Sequence, residues 1–343
     1  MFTTLSTGLA LTFFGASLLL NVLSSAVLAE RLDQVGERFR FPPGLVGLMT
    51  ALGADSPEIA SAITALVGGQ HDLGRGVIFG SNVFNVAFLL GFSALVAGRV
   101  AMGRANLLLN GGMALAVTLV VGAEAAGLLG PLGSGLVLAA LLLPYVAVSS
   151  LRPSTLTRLP LPRAIAGWLA AALGSEERDE DAAEREGEAD ASTGRTMSAA
   201  DGLSILPMLA VIVATSVVMV KVAVVLGGRW HVSEIVVGTF VVATLTGLPN
   251  LIAAVRLAAK GRGATLSSEA FNSNTLNLLV GIYGPSLIVA GSPTSHQGLL
   301  SIAWLVAITA AALVLGLVRR GFGRWAGGAL VAVYAGFVLS VVL

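Results

Sequence analysis

Long apolar runs separated by short polar turns dominate the chain. A helix that crosses a bilayer needs about 20 mostly apolar residues. On that rule spans are predicted near 5–29, 44–67, 76–97, 105–126 and 131–150, and again near 203–226, 233–256, 268–290, 298–318 and 325–342. The expected fold is an all-α membrane protein of ten transmembrane helices, five in residues 1–151 and five in 203–343. The first run lacks a basic leader and is too long for a secretion signal, so it reads as a helix of the fold. Between the groups lies a polar stretch, 152–202, with acidic residues crowded from Ser175 to Asp190. It is too short and too poor in apolar residues to fold alone, which predicts a solvated, flexible linker. A regulatory cation-binding role is the lesser reading.

Composition narrows the class. Hydrophobic residues make up 55% of the 343 and charged ones 11%, with a mean hydropathy of +0.88. A soluble chain of this size could not bury so much apolar surface, so the lipid bilayer is its expected solvent. The absence of cysteine excludes disulfides, thiol catalysis and thiolate metal sites, and three histidines argue against a histidine-built metalloenzyme. No basic stripe interleaved with aromatics points to nucleic acid. No nucleophile–base pair, phosphate loop or cofactor motif points to an enzyme, and no cofactor is expected.

Charge gives an orientation. With the N-terminus outside, 17 of the 20 lysines and arginines fall in inside loops, leaving Arg75 and Arg229 outside and Lys221 within a span. Cytoplasmic loops carry such an excess. The expectation is a multi-pass protein of the cell membrane with its 152–202 linker in the cytoplasm.

The chain repeats itself at an offset of 192. Thr50–Ala62 falls on Val242–Ala254, and Phe79–Asn85 (FGSNVFN) falls on Phe271–Asn277 (FNSNTLN). Pro57 matches Pro249, and in both copies an S-N-x-x-N motif begins 24 residues after the proline. The motifs occupy 50–91 and 242–283. An odd number of predicted spans, five, separates them, so the second copy is expected upside down relative to the first. Inverted repeats with interrupted helices around a central site are a design of secondary transporters.

Each copy places polar groups within a span. Asp55 and Glu58 flank Pro57, which has no N–H and obstructs the carbonyl four residues back. The helix is expected to kink or open there, freeing carbonyls such as those of Leu52 and Gly53. Pro249 is expected to do the same around Leu245 and Thr246. Ser81 and Asn85 are four apart, hence on one helical face, and Ser273 and Asn277 repeat the spacing. Together these oxygens suit hard cations such as sodium, calcium, magnesium or manganese. Asn82 and Asn274 read equally as ligands or as helix-to-helix hydrogen bonds. Glu124, Glu234 and Glu269 lie near predicted span ends and are expected to face water, and Lys221 to snorkel outward.

At these residues the chain resembles the calcium/cation antiporter superfamily, whose two repeats read approximately G-T-S-x-P-E followed by G-S-N-x-x-[ND]. The first copy here is Gly53-Ala54-Asp55-Ser56-Pro57-Glu58 with Gly80-Ser81-Asn82-Val83-Phe84-Asn85. The second is Leu245-Thr246-Gly247-Leu248-Pro249-Asn250 with Asn272-Ser273-Asn274-Thr275-Leu276-Asn277. The resemblance implies two inverted-topology five-helix repeats of the sodium/calcium exchanger kind. It implies Glu58 as the principal carboxylate of a central calcium site, Ser81 and Asn85 beside it, and Thr246, Asn250, Ser273 and Asn277 completing the ring. The departures remove charge: asparagine replaces the family's second glutamate at Asn250 and its acidic position at Asn277. Ala54-Asp55 stands for Thr-Ser, and Gly247 for the second serine.

The leading expectation is alternating-access antiport of calcium, or a similar hard divalent cation, against sodium. One alternative is proton-coupled exchange through Asp55 or Glu58. Another is a non-transporting scaffold or sensor that has kept the fold.

Overall fold

In a computed structural model, described for residues 4–185, 204–289 and 293–342, the chain is helical apart from one short two-stranded ladder. Helix α1 (Thr7–Arg38) carries no proline and ends where Arg40 takes a left-handed φ of 54° ahead of Pro42 and Pro43. Helix α2 (Pro43–Ala54) starts on a proline, whose missing N–H is harmless in a first turn. Helix α3 (Ser56–Val67) follows after a single residue, Asp55, at φ −85° and ψ 0°. The second predicted span is thus two half-length helices, broken one residue before the Ser56-Pro57 pair. The Gly53 carbonyl, which Pro57 deprives of its helical donor, accepts the Ser56 hydroxyl at 2.6 Å.

Helix α4 (His71–Ala97) widens into a π-helical stretch at Phe84–Leu89, and α5 (Arg104–Ala125) does so at Leu107–Gly111. Helix α6 (Pro131–Ser149), the short α7 (Pro153–Leu156) and α8 (Arg163–Arg185) complete the first part. After it come α9 (Ile205–Arg229), α10 (Glu234–Ala259), α11 (Gly263–Leu276, continued as π-helix over Asn277–Tyr283), α12 (His296–Arg319) and α13 (Arg324–Val342). Eight of the described helices, α1, α4, α5, α6, α9, α10, α12 and α13, are long and apolar enough to cross a bilayer.

Of the kink or opening expected at Pro249, the structure shows no full break. Helix α10 runs through it, with a π-helical turn upstream at Val237–Val242. A helix tolerates a proline by bending and surrendering one backbone bond. Here Thr246 also donates its hydroxyl to the Val242 carbonyl at 2.9 Å, in the turn before the proline.

The two parts interleave rather than stand side by side. Helix α1 packs on α9, α4 on α10, and α2 and α3 on α11 and its continuation. Helix α4 is central, with 89% of its apolar window buried against 22% for α6 and α13. It meets α10 through a G-x-x-x-G pair. A Cβ on Gly76 would lie 2.6 Å from the Ile235 carbonyl oxygen, and one on Gly80 2.6 Å from Thr239 Cα. Small residues permit such close backbone approach between membrane helices. Strands β1 (Arg99–Ala101) and β2 (Gly321–Gly323) pair antiparallel, with buried Val100 opposite buried Phe322.

The linker corrects its expectation over 163–185, which forms α8 and docks on the bundle. Its apolar face places Leu169 and Leu173 with Leu156 against Leu109, Val148 and Leu151. Its acids also find donors. Asp179 accepts the backbone N–H groups of Ala264 and Thr265, each at 3.0 Å, in the first turn of α11. Residues 186–203, with the rest of the acidic run, lie outside the described residues.

Candidate ion-binding site

The break at Asp55 sets the site. Glu58 falls in the first turn of α3, where unpaired N–H groups and the helix dipole favour negative charge. Asp55 and Glu58 are both fully buried, at 0% exposure. Asn250 of α10 donates its amide to Asp55 Oδ1 at 3.0 Å, and Ser273 of α11 also reaches Asp55. Thr246 stands beside Glu58, and a Cβ on Gly247 would lie 3.9 Å from Glu58 Oε1. Both acids of the first repeat therefore face polar positions of the second.

Three carboxylate oxygens in this buried setting have no hydrogen-bond partner: Asp55 Oδ2, Glu58 Oε1 and Glu58 Oε2. The amide oxygens of Asn85 and Asn277, equivalent positions in the two repeats, are also buried and unpartnered. An ionised carboxylate so placed is destabilising by several kcal/mol unless a counter-charge sits with it. The Ser81 hydroxyl is buried and turned back on its own helix, donating to the Ile78 carbonyl at 3.1 Å.

Asn82 and Asn274 do different work. Asn277 donates to Asn82 Oδ1 at 3.0 Å, Asn82 donates to the Asn274 carbonyl at 3.3 Å, and Asn274 donates to Thr118 at 3.0 Å. The middle asparagine of each S-N-x-x-N motif is thus engaged in bonds between helices.

A cavity of about 320 Å³ leads to this cluster. Its walls follow α2 from Pro43 to Ala54 and α11 from Thr265 to Ser273, and reach Asn85 and Asn250 at the inner end. Asp55, Glu58, Ser81, Thr246 and Asn277 are not on its surface and lie buried behind it. Asp33 and Glu176 of α8 also line it.

Sequence reasoning missed two acids. Glu269, half-buried, lines the cavity and not a span end, because α11 begins at Gly263, five residues before the predicted span, and so carries Glu269 a turn and a half into the helix. Its spacing of four from Ser273 was the available signal. Glu176 is buried, at 8% exposure, and its Oε1 accepts from Asn106 at 2.7 Å, from Asn110 at 3.2 Å and from Ser268. Burial pushes its carboxyl above the usual carboxylate range. Nothing in the linker's composition signalled that. Glu234 and Lys221 are exposed as expected, whereas Glu124 is half-buried.

The sequence profile of the family described as "Sodium/calcium exchanger protein" matches residues 9–173 and 202–343. The chain belongs to the sodium/calcium exchanger family. The two matched blocks fall on either side of the segment that joins the repeats, and this is a family of membrane transporters. Among solved exchanger structures, that of the H+/Ca2+ exchanger CAX superposes with a TM-score of 0.67 at 15% identity, covering 97% of this chain and 85% of that one. The sodium-calcium exchanger NCX_Mj gives 0.60 at 17% identity, covering 97% and 98%. At such identities the likeness establishes the exchanger fold alone. In sequence, the chain is 30% identical over 90 residues to a probable sodium/potassium/calcium exchanger of Drosophila melanogaster, covering 26% of this chain and 14% of the fly protein. It is 33% identical over 89 residues to the inner membrane protein YrbG of Escherichia coli (strain K12), covering 26% of this chain and 27% of that one. The matched segment is thus a minor part of either curated relative.

Proposed function

We propose that this exchanger-family protein is a secondary active antiporter that moves calcium, or a similar hard divalent cation, against sodium by alternating access. The observation that carries the reading is the set of unpartnered oxygens on Asp55 and Glu58, buried against Asn250, Thr246 and Ser273 of the other repeat. Carboxylate, amide and hydroxyl oxygens are the ligands hard cations prefer. Asp55, Glu58, Ser81, Asn85, Thr246, Asn250, Ser273 and Asn277 form the cation site in this reading, with Pro57 and Pro249 shaping the backbone beside it. Two buried carboxylates cannot cross empty and charged without a large penalty, so exchange is favoured over uniport. The offset of 192 and the five spans between copies support inverted topology, which alternating access around one fixed site exploits. The lysine and arginine bias supports a cell-membrane protein with an outside N-terminus and a cytoplasmic linker, so the cavity beside α8 opens inward.

The experiment is calcium uptake into proteoliposomes driven by an opposed sodium gradient. Uptake that Glu58→Gln abolishes is the expected result. Sodium-driven uptake that is normal in Glu58→Gln would remove the site assignment. One observation favours a second coupling ion: the buried Glu58 oxygens carry no strong hydrogen bond, and a proton as well as a metal ion would relieve them. Uptake driven by a pH gradient without sodium distinguishes that proton-coupled version.

A further inference from the structure

The second repeat brings no acid to the positions that match Asp55, Glu58 and Asn85, since Gly247, Asn250 and Asn277 stand there. Helix α11 nonetheless carries one carboxylate toward the same place. Glu269, Ser273 and Asn277 are spaced four apart and share one helix face. Glu269 and Ser273 both line the cavity, together with Asn250. Of the acids on the cavity wall, Asp33 comes from α1 and Glu176 from α8, so Glu269 is the second repeat's sole acidic contribution there.

Ser273 and Asn250 both reach Asp55, whose Oδ2 has no partner and whose burial is complete. Asn250, which lines the cavity with Glu269, holds Asp55 Oδ1 at 3.0 Å and so ties Asp55 to that wall. Glu269 is half-buried on that wall. Two carboxylates that repel one another, one of them with a buried bare oxygen, leave a negative pocket that a cation would relieve.

We propose that Glu269 is a cation ligand, forming with Asp55, Asn250 and Ser273 a second subsite next to Glu58 on the α8 side of the site. The inference rests on the cation-transport reading and extends it. Three acids, two from the first repeat and one from the second, then hold the cargo. Asp55 is shared between the inner subsite with Glu58 and the outer one with Glu269. The set offers three negative charges, enough for a divalent and a monovalent cation together. The class of ligand is a hard cation, because every donor is oxygen.

The test is calcium binding by the full-length protein in detergent, read by isothermal titration and by calcium-dependent thermal stabilisation, since ligand bound to the folded state raises stability. Glu269→Gln is expected to weaken calcium binding about tenfold or more, with an unchanged elution profile, while Glu269→Asp recovers most of it. The loss is expected to persist in about 0.5 M choline chloride, where attraction by a distant charge would be screened. Binding by Glu269→Gln equal to that of the unaltered protein would overturn the proposal, and so would a defect that disappears in choline chloride. Glu234→Gln, at an exposed position outside the site, serves as the control and is expected to bind calcium normally. Failure of the unaltered protein to bind calcium or move it in vesicles is a different result, and it would remove the transport reading together with this subsite.

Discussion

The side-chain amide of Asn250 points at Asp55 Oδ1 across 3.0 Å, so one repeat's proline motif is hydrogen-bonded to the other's. The second Asp55 oxygen is buried with no hydrogen-bond partner, which leaves it free for a cation in the reading proposed above. Asp55→Asn is expected to reduce calcium uptake at least tenfold in proteoliposomes and to raise the thermal stability of the ion-free protein, because a buried charge without a partner is removed. Loss of stability together with loss of uptake would mark Asp55 as structural.

Asn82 is expected to behave in the opposite way. Its bonds to Asn277 and Asn274 hold α4 to α11. Asn82→Ala should lower stability by about 1 kcal/mol, measured as the melting temperature without added ions. Cation selectivity, read from competition assays, should stay as in the parent.

Gly80 tests the interleaved packing. A methyl group there meets Thr239 backbone, which has no flexible end to give way. Gly80→Ala is expected to lose about 1–3 kcal/mol, visible as a lower thermal unfolding temperature in detergent. The same change at exposed Gly228, with open space around it, should be close to neutral.

Helix α8 should undock as pH rises. Burial lifts the Glu176 carboxyl above its ordinary 4.5, so the docked state holds its proton more tightly than the undocked one. The contribution of Glu176 to docking is therefore full below about 4.5 and is lost as pH climbs through the docked value. The neighbouring acid Asp179 adds to the repulsion once both are charged. Spin labels at exposed Trp168 of α8 and exposed Leu143 of α6 should move apart as pH rises, read as a longer inter-label distance. Glu176→Gln should flatten the response, and an unchanged pH profile in that variant would refute the assignment.

Much of this was legible in the residues because membrane helices announce themselves by length and apolarity. The proline and S-N-x-x-N pairs marked the repeat, and the break beside Pro57 was foreseen from its missing N–H. At Pro249 the helix runs on, so only the full break seen beside Pro57 is absent there, and a proline inside a helix gives no local sign of which outcome it takes. Glu269 was misplaced through a helix start misjudged by five residues, and a helix end is the feature apolarity defines least. Glu176 was illegible because its donors, Asn106, Asn110 and Ser268, come from two distant helices. No local pattern reports a partner of that kind.

The ladder between Val100 and Phe322 fastens the turn after α4 to the turn before α13. With four helix ends stapled at one rim, α4, α5, α12 and α13 must travel together there. A rocking cycle would accordingly hinge at that clasp and swing widest at the far rim. Breaking it with proline at position 100 should loosen the pace of turnover sooner than the grip on the ion.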